Sequence, residues 1–408
     1  MAEVPLSYRQ VLRLQAVAAL LLTTTLSRLG ERMYMLVIVL FALDQYHSAA
    51  LAGWVSFAAI TPGLVASPVA GAILDRMGAA RGIVFDLSVA SVLMAAIAWF
   101  GNAGLAPLLA LVASCSLTSP LSFAGIRSLI PRLVPISGLG RANAMDSGTY
   151  ALTDVIGAGL GGTLYGLTGG RTTLLAIAGL LLGAALLLTP IAWRAREAAR
   201  PHRTRLLHET ADGLRFVAMH PVLRGLALSY SLYQASWGVL VVAVPVLVGA
   251  SLGSGTNRGL AVGLLWAVAG LAGGLGALAA GLLHAAERER PLFMAGLLLT
   301  AITIAAMSAG GGLTALALCL GTMGALSGPL DVALLTMRQR CTPADRLGRV
   351  IAVSMSLNIL GLPIGSVIAG QTMAWSATAA LLIAAAACVL SAFAAWRLMP
   401  QQPADAAN

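Results

Sequence analysis

Twelve apolar stretches, most of them about 20 residues or longer, divide this chain into regular segments. A helix needs about 20 apolar residues to cross the hydrocarbon core of a bilayer. Only 10% of the residues are charged, against about 25% in soluble domains. The sequence therefore predicts an all-α membrane protein with twelve transmembrane helices, at residues 14–42, 49–73, 82–100, 104–130, 143–168, 172–193, 222–249, 259–284, 291–309, 312–336, 347–373 and 376–398.

The basic residues predict how the chain lies in the membrane. All 25 of them are Arg. With the N-terminus in the cytoplasm, only Arg171 and Arg258 fall in outer loops, and Arg28 and Arg32 fall within the first span. The others lie on the inner side, as the positive-inside rule requires. We expect a multi-pass protein of the inner (plasma) membrane with both termini cytoplasmic, and no binding of nucleic acid despite the net charge of +10.

The two halves of the chain resemble each other. Residues 133–162 align without a gap with residues 341–370, and nine of these thirty positions are identical. Parallel internal repeats of this kind are found in secondary transporters. We predict two pseudo-symmetric six-helix bundles, at 1–193 and 221–408, joined by a cytoplasmic linker at 194–220.

The linker contains a pattern typical of an amphipathic helix. At helical spacing its apolar residues share one face: Leu207, Ala211, Leu214 and Ala218. Such a helix either lies on the inner leaflet or is a solvated connection, and the sequence favours neither.

A charged motif follows the second span, in the sequence GAILDRMGAAR from Gly71 to Arg81. It resembles the signature of the major facilitator superfamily, with a Gly, an Asp, an Arg, a Gly and a basic residue at fixed spacing. The matching residues are Gly71, Asp75, Arg76, Gly78 and Arg81. Ala79 and Ala80 depart from the pattern, because the family often has basic residues there. The resemblance covers the whole chain and implies that this motif holds the cytoplasmic side closed.

A second resemblance lies in span 5, in the sequence GAGLGG. It is similar to the Gly-Pro-x-x-Gly-Gly element of exporters in this superfamily, with Ala158 in place of Pro. We expect the glycines Gly157, Gly161 and Gly162 to allow close packing of span 5 against span 8, and Gly365 to be a helix-packing glycine of the second half. These features favour the branch that contains drug, macrolide and siderophore exporters.

The first span carries three charged residues near mid-depth, Arg28, Glu31 and Arg32. One charge at a helix centre costs about 2.5–3.5 kcal/mol on insertion scales. All three share one helical face, which must therefore point away from lipid. Asp154 in span 5 is the expected partner of an Arg, with Arg28 preferred slightly over Arg32. Glu31 is either the proton-binding group of an antiporter or part of a permanently paired network.

Other polar residues in the spans are weaker candidates. Span 7 places Tyr230, Gln234 and Trp237 on one face, where they either contact an amphipathic substrate or pack between helices. Asp331 is a further candidate for coupling or gating. The remaining candidates for the substrate cavity are Tyr34, Ser114, Thr118 and Asn358, although small hydroxyls more often serve helix packing.

These observations favour a monomeric, proton-coupled secondary transporter that exports a small amphipathic compound, drug or secondary metabolite. The alternatives are a transporter of siderophores, organic anions or lysolipids and, more remotely, a membrane receptor without transport activity. We expect no enzyme, because the sequence has no nucleotide-binding loop and no nucleophile with a base. We expect no cofactor and no metal, since the four Cys have no nearby ligands at metal-binding spacing.

Overall fold

A computed structural model describes residues 6–14, 16–194, 206–252, 256–282, 289–343 and 347–399. This part of the chain is helical, as predicted, and a helix lies at each of the predicted spans. The helices are α1 (Tyr8–Arg13), α2 (Val17–Tyr46), α3 (Ala49–Ala58), α4 (Thr61–Met77), α5 (Ala79–Phe100), α6 (Leu105–Leu133), α7 (Ile136–Arg194), α8 (Leu206–Met219), α9 (Pro221–Leu252), α10 (Thr256–Leu282), α11 (Glu289–Met307), α12 (Gly312–Arg340), α13 (Leu347–Ile359), α14 (Gly361–Met373) and α15 (Ala377–Leu398).

Ten stretches of the described residues are long and apolar enough to cross a membrane. The difference from twelve has two sources. One stretch, Leu152–Trp193, covers predicted spans 5 and 6 together. The first predicted span is absent from the ten because α2 carries charged residues near its middle. The helical fold is thus confirmed, and the number of membrane crossings stays a prediction.

Glycines with positive φ separate helices that the sequence would otherwise continue. Gly78, in the charged motif, has a φ of 87° and ends α4 where α5 begins. Gly169 has a φ of 82° and breaks α7 between predicted spans 5 and 6. Residues with a Cβ rarely adopt this conformation. The predicted break between spans 9 and 10, in the sequence AGGGL at residues 309–313, is also confirmed, since α11 ends at Met307 and α12 begins at Gly312.

By internal contacts the chain divides into two compact units. The first contains Met1–Ile38 and Ala58–Leu206, and the second contains Val39–Phe57 and Leu207–Asn408. The end of α2 and most of α3 therefore pack with the second unit. A glycine explains part of this packing, because a Cβ at Gly53 would lie 2.5 Å from the carbonyl oxygen of Ser366 in α14. The predicted boundaries at 193 and 221 stay a prediction.

The linker helix α8 buries a different face from the predicted one. Val217 packs against Leu223, Ala227 and Val350 in a small apolar core. Leu214, on the predicted apolar face, is exposed. Leu207 lies within α8, but its side chain is outside the described residues. Contact between the predicted face and a membrane stays a prediction.

Candidate functional site

The two arginines of α2 each pair with a carboxylate of α7. Arg28 Nη1 lies 2.9 Å from Asp146 Oδ1, and Arg28 Nη2 donates a hydrogen bond of 3.0 Å to Asp146 Oδ2. Arg28 also donates to the hydroxyl of Thr149 at 3.0 Å. Arg32 pairs through Nε with Asp154. The expected preference of Asp154 for Arg28 is therefore wrong, because Asp146, earlier on α7, already pairs with Arg28.

Glycines of α7 bring the two helices into close contact. A Cβ at Gly157 would lie 2.4 Å from Arg32 Cβ, and a Cβ at Gly161 would lie 3.0 Å from Met33 Cα. Close packing at these two positions is thus present, with α2 as the neighbour. Gly162 is buried. The expected packing of these glycines against span 8 stays a prediction.

Glu31 differs from its two charged neighbours. Its side chain is exposed. No ion pair or hydrogen bond found among the described residues includes it, whereas Arg28 and Arg32 both have carboxylate partners. Both arginines pair with other carboxylates, so Glu31 is an acidic residue of α2 that is not held in an ion pair among the described residues.

The other cavity candidates of the first unit lie in different environments. Tyr34 is 4% exposed, and its hydroxyl has no hydrogen-bond partner in the described part of the chain. Ser114 is half-buried and donates to the carbonyl of Ala110 at 2.7 Å. Thr118 is half-buried and donates to the carbonyl of Cys115 at 3.5 Å. Both hydroxyls bond to their own helix, and a role in substrate binding stays a prediction.

The charged motif lies where α4 meets α5. Arg76 is exposed, and Arg81 Nε donates to the carbonyl of Ala192 in α7 at 3.3 Å. Arg81 thus links the start of span 3 to the end of span 6 within the first unit. The surroundings of Gly71 and the side chain of Asp75 are outside the described part of the chain.

The second unit brings two predicted residues together. Tyr230 of α9 donates a hydrogen bond to Asp331 of α12. A row of aromatic rings continues from this contact, since ring centroids are 5.3 Å apart for Tyr230 and Tyr233 and 6.3 Å apart for Tyr233 and Trp237. Trp266 of α10 extends the row, 5.9 Å from Trp237.

The remaining candidates of the second unit are held by packing. Asn358 is 4% exposed, and with its amide turned so that the oxygen faces the buried Arg338, this oxygen accepts from Arg338 Nη2 at 2.8 Å. Gln234 is half-buried. Gly365 allows α14 to approach α9, because a Cβ there would lie 1.9 Å from the carbonyl oxygen of Ala235.

Comparison with known proteins places this arrangement in a family. A model of the Major Facilitator Superfamily matches residues 20–287 and 226–408. The chain belongs to the Major Facilitator Superfamily. The uncharacterized MFS-type transporter y4rN of Sinorhizobium fredii is 41% identical over 401 residues, which are 98% of each chain.

More distant relatives of this superfamily member agree with that assignment. The multidrug efflux pump Tap of Mycolicibacterium fortuitum is 27% identical over 345 residues, covering 80% of this chain and 81% of its own. The structure resembles that of a mutant of the nucleoside transporter NupG, with a TM-score of 0.76 at 13% identity. That match covers 94% of this chain and 100% of the other. The superfamily fold and a transport protein in the membrane are thus established.

Sequence reasoning missed several charged residues of this superfamily member. Asp146 lies near the start of predicted span 5, and depth alone did not suggest it as a partner of Arg28. Asp44, at the end of α2, pairs with Arg258 of α10 within the second unit. A signal for this second pair was present, because Arg258 is one of only two arginines predicted in outer loops.

Proposed function

We propose that the protein is a proton-coupled secondary transporter that exports a small amphipathic compound by alternating access. We place it in the plasma membrane as a monomer with both termini in the cytoplasm. The multidrug efflux pumps among its relatives support export. The environment of Glu31 carries the proposal of proton coupling.

Glu31 has the properties that a coupling group needs. A coupling carboxyl group alternates between ionised and protonated forms, so it must reach water and must not be held in a permanent ion pair. Glu31 is exposed, and the two neighbouring arginines are engaged by Asp146 and Asp154. The pairing of both arginines also weakens the case for an anionic substrate, which two unpaired positive charges would favour.

Alternating access requires contacts that form and break. The pair between Asp44 and Arg258 is one candidate, because it links the end of the first predicted span to the start of the eighth. Gly370 supports the same contact region, since a Cβ there would lie 2.7 Å from the carbonyl oxygen of Ala49. We propose that these contacts close the outer side while the GAILDRMGAAR motif closes the cytoplasmic side in the other state.

Transport assays in inverted membrane vesicles test the proposal. An imposed pH gradient should drive accumulation of a cationic or neutral amphipathic compound from a panel that also includes anions. Glu31→Gln should abolish uphill accumulation but retain exchange, because it cannot release a proton. Glu289→Gln is the matched control, since Glu289 is held in an ion pair with Arg340 at 3.0 Å, and uphill accumulation should persist in this variant. Uphill transport by Glu31→Gln at the wild-type level would exclude the coupling role.

A further inference from the structure

The carboxyl group of Asp86 in α5 is buried in the first unit, with 4% of the residue exposed. Ser122 of α6 donates a hydrogen bond to Asp86 Oδ2. The other oxygen, Oδ1, is buried and has no hydrogen-bond partner among the described residues. An ionised carboxylate accepts about four hydrogen bonds, so this environment provides far less than the anion requires.

The groups that face Asp86 from neighbouring helices are neutral or acidic. The hydroxyl of Thr118 and the thiol of Cys115, both on α6, lie close to it. Glu31 of α2 is near enough to repel an ionised Asp86. The segment 172–193 of α7, which packs on α5, contains no titratable side chain.

Two basic residues lie near Asp86 in the sequence, and one of them bonds to another group while the other is exposed. Arg81, on the same helix, donates to the carbonyl of Ala192. Arg76 of α4 is exposed, and the side chain of Asp75, also on α4, is outside the described residues. Among the described residues, the ion pairs of Arg28, Arg32, Arg258 and Arg340 are formed with carboxylates other than Asp86.

A carboxylate buried without a cation loses several kcal/mol of solvation, and it binds a proton instead. A carboxylic acid needs fewer partners, and one hydroxyl partner satisfies much of its demand. We infer that Asp86 holds a proton in this conformation and is a proton-binding site of the transporter in addition to Glu31.

The proximity of the two carboxyl groups suggests how they act together. Two acids that repel each other release their protons one after the other, not at the same time. Ionised Glu31 keeps the proton on Asp86, and a protonated Glu31 permits Asp86 to release it. This order of release rests on the proposed coupling role of Glu31, whereas the proton on Asp86 does not.

Infrared spectroscopy of the full-length protein in lipid tests the inference directly. A protonated carboxylic acid has a carbonyl band that ionised carboxylates lack. We expect Asp86→Asn to lose one component of this band relative to the wild type. Asp146→Asn is the matched control, because Asp146 is paired with Arg28, and the band should persist. An unchanged band in folded Asp86→Asn would overturn the inference.

A second variant covers the case in which Asp86→Asn does not fold. Ser122→Ala retains the carboxyl group and removes its hydroxyl partner, so it should shift the frequency of the same component. A spectrum without any shift would assign the band to another residue and overturn the inference. Vesicle transport separates this result from the proposed function. An Asp86-dependent band together with wild-type uphill transport by Glu31→Gln would retain the Asp86 site and exclude Glu31 as the coupling group.

Discussion

The two ion pairs between α2 and α7 differ in burial, and they should therefore differ in strength. The side chains of Arg28 and Asp146 are 13% and 17% exposed, whereas those of Arg32 and Asp154 are 36% and 40% exposed. In the first pair, Arg28 Nη2 also donates a hydrogen bond to Asp146 Oδ2. We predict that the pair of Arg28 stabilises the fold more than the pair of Arg32.

Removal of one partner from a buried pair costs about 3–5 kcal/mol, because the other charge is left unpaired. An exposed pair contributes about 0.2–1 kcal/mol. We expect Asp146→Ala to lower the free energy of unfolding by about 3 kcal/mol, and Asp154→Ala by about 1 kcal/mol or less. The coupling energy between Arg28→Ala and Asp146→Ala should reach about 2 kcal/mol, and that between Arg28→Ala and Asp154→Ala should be much smaller, because these two residues interact without forming an ion pair.

The free energy of unfolding can be measured by titration with sodium dodecyl sulfate in mixed micelles, using tryptophan fluorescence. Each cycle compares the double variant with its two single variants, so that general effects of truncation cancel. The cycle of Arg28 with Asp154 serves as the control, because the structure does not pair them. Equal coupling energies for the two ion pairs would refute the argument from burial. A large coupling between Arg28 and Asp154 would refute the register of α2 on α7.

Three further substitutions follow from the packing. Gly365→Ala should destabilise the second unit by about 1–3 kcal/mol or more, because the new methyl group overlaps a carbonyl oxygen of α9. Gly179→Ala is the control and should have little effect, because its methyl group meets no atom within 4 Å. Thermal unfolding in detergent compares the two variants. Arg258→Ala should increase the outer accessibility of a reporter cysteine at position 50 if its pair with Asp44 closes that side, and unchanged labelling would exclude this role. Gly78→Ala should lower thermal stability, because φ is 87° at this position, and unaltered stability would show that α4 and α5 tolerate another connection.

The helices could be predicted from the sequence because the composition of each segment indicates whether it lies in a membrane. An apolar stretch of about 20 residues has few alternatives to a membrane-spanning helix. The breaks were visible for the same reason, as at AGGGL, where consecutive glycines adopt positive φ. The linker helix can also be predicted from the sequence, but its buried face cannot. Val217 is buried by contacts with α9 and α13, and hydrophobic periodicity gives no information about these contacts.

The partners of the charged residues could not be predicted as well. Depth in the membrane suggested that Arg28 and Asp154 were level, but pairing depends on the register between α2 and α7. That register is set by close contacts such as the one at Gly157, where backbone and side chain meet without a gap. Two arginines one turn apart already implied two carboxylates, and this requirement is the signal that could have identified Asp146.

In the proposed function, the charges of α2 allow such a segment to lie in a membrane and to respond to protons. Arg28 and Arg32 are balanced by Asp146 and Asp154, so the two pairs together carry no net charge. Glu31 then leaves the group with one negative charge, and a single proton makes it neutral. In the proposed function, protonation of Glu31 makes this set of five side chains neutral. The free-energy cost of placing the set in surroundings of low dielectric constant then decreases. Under this proposal a proton gradient biases the conformations of the transporter through Glu31, while the two arginine pairs keep α2 and α7 together.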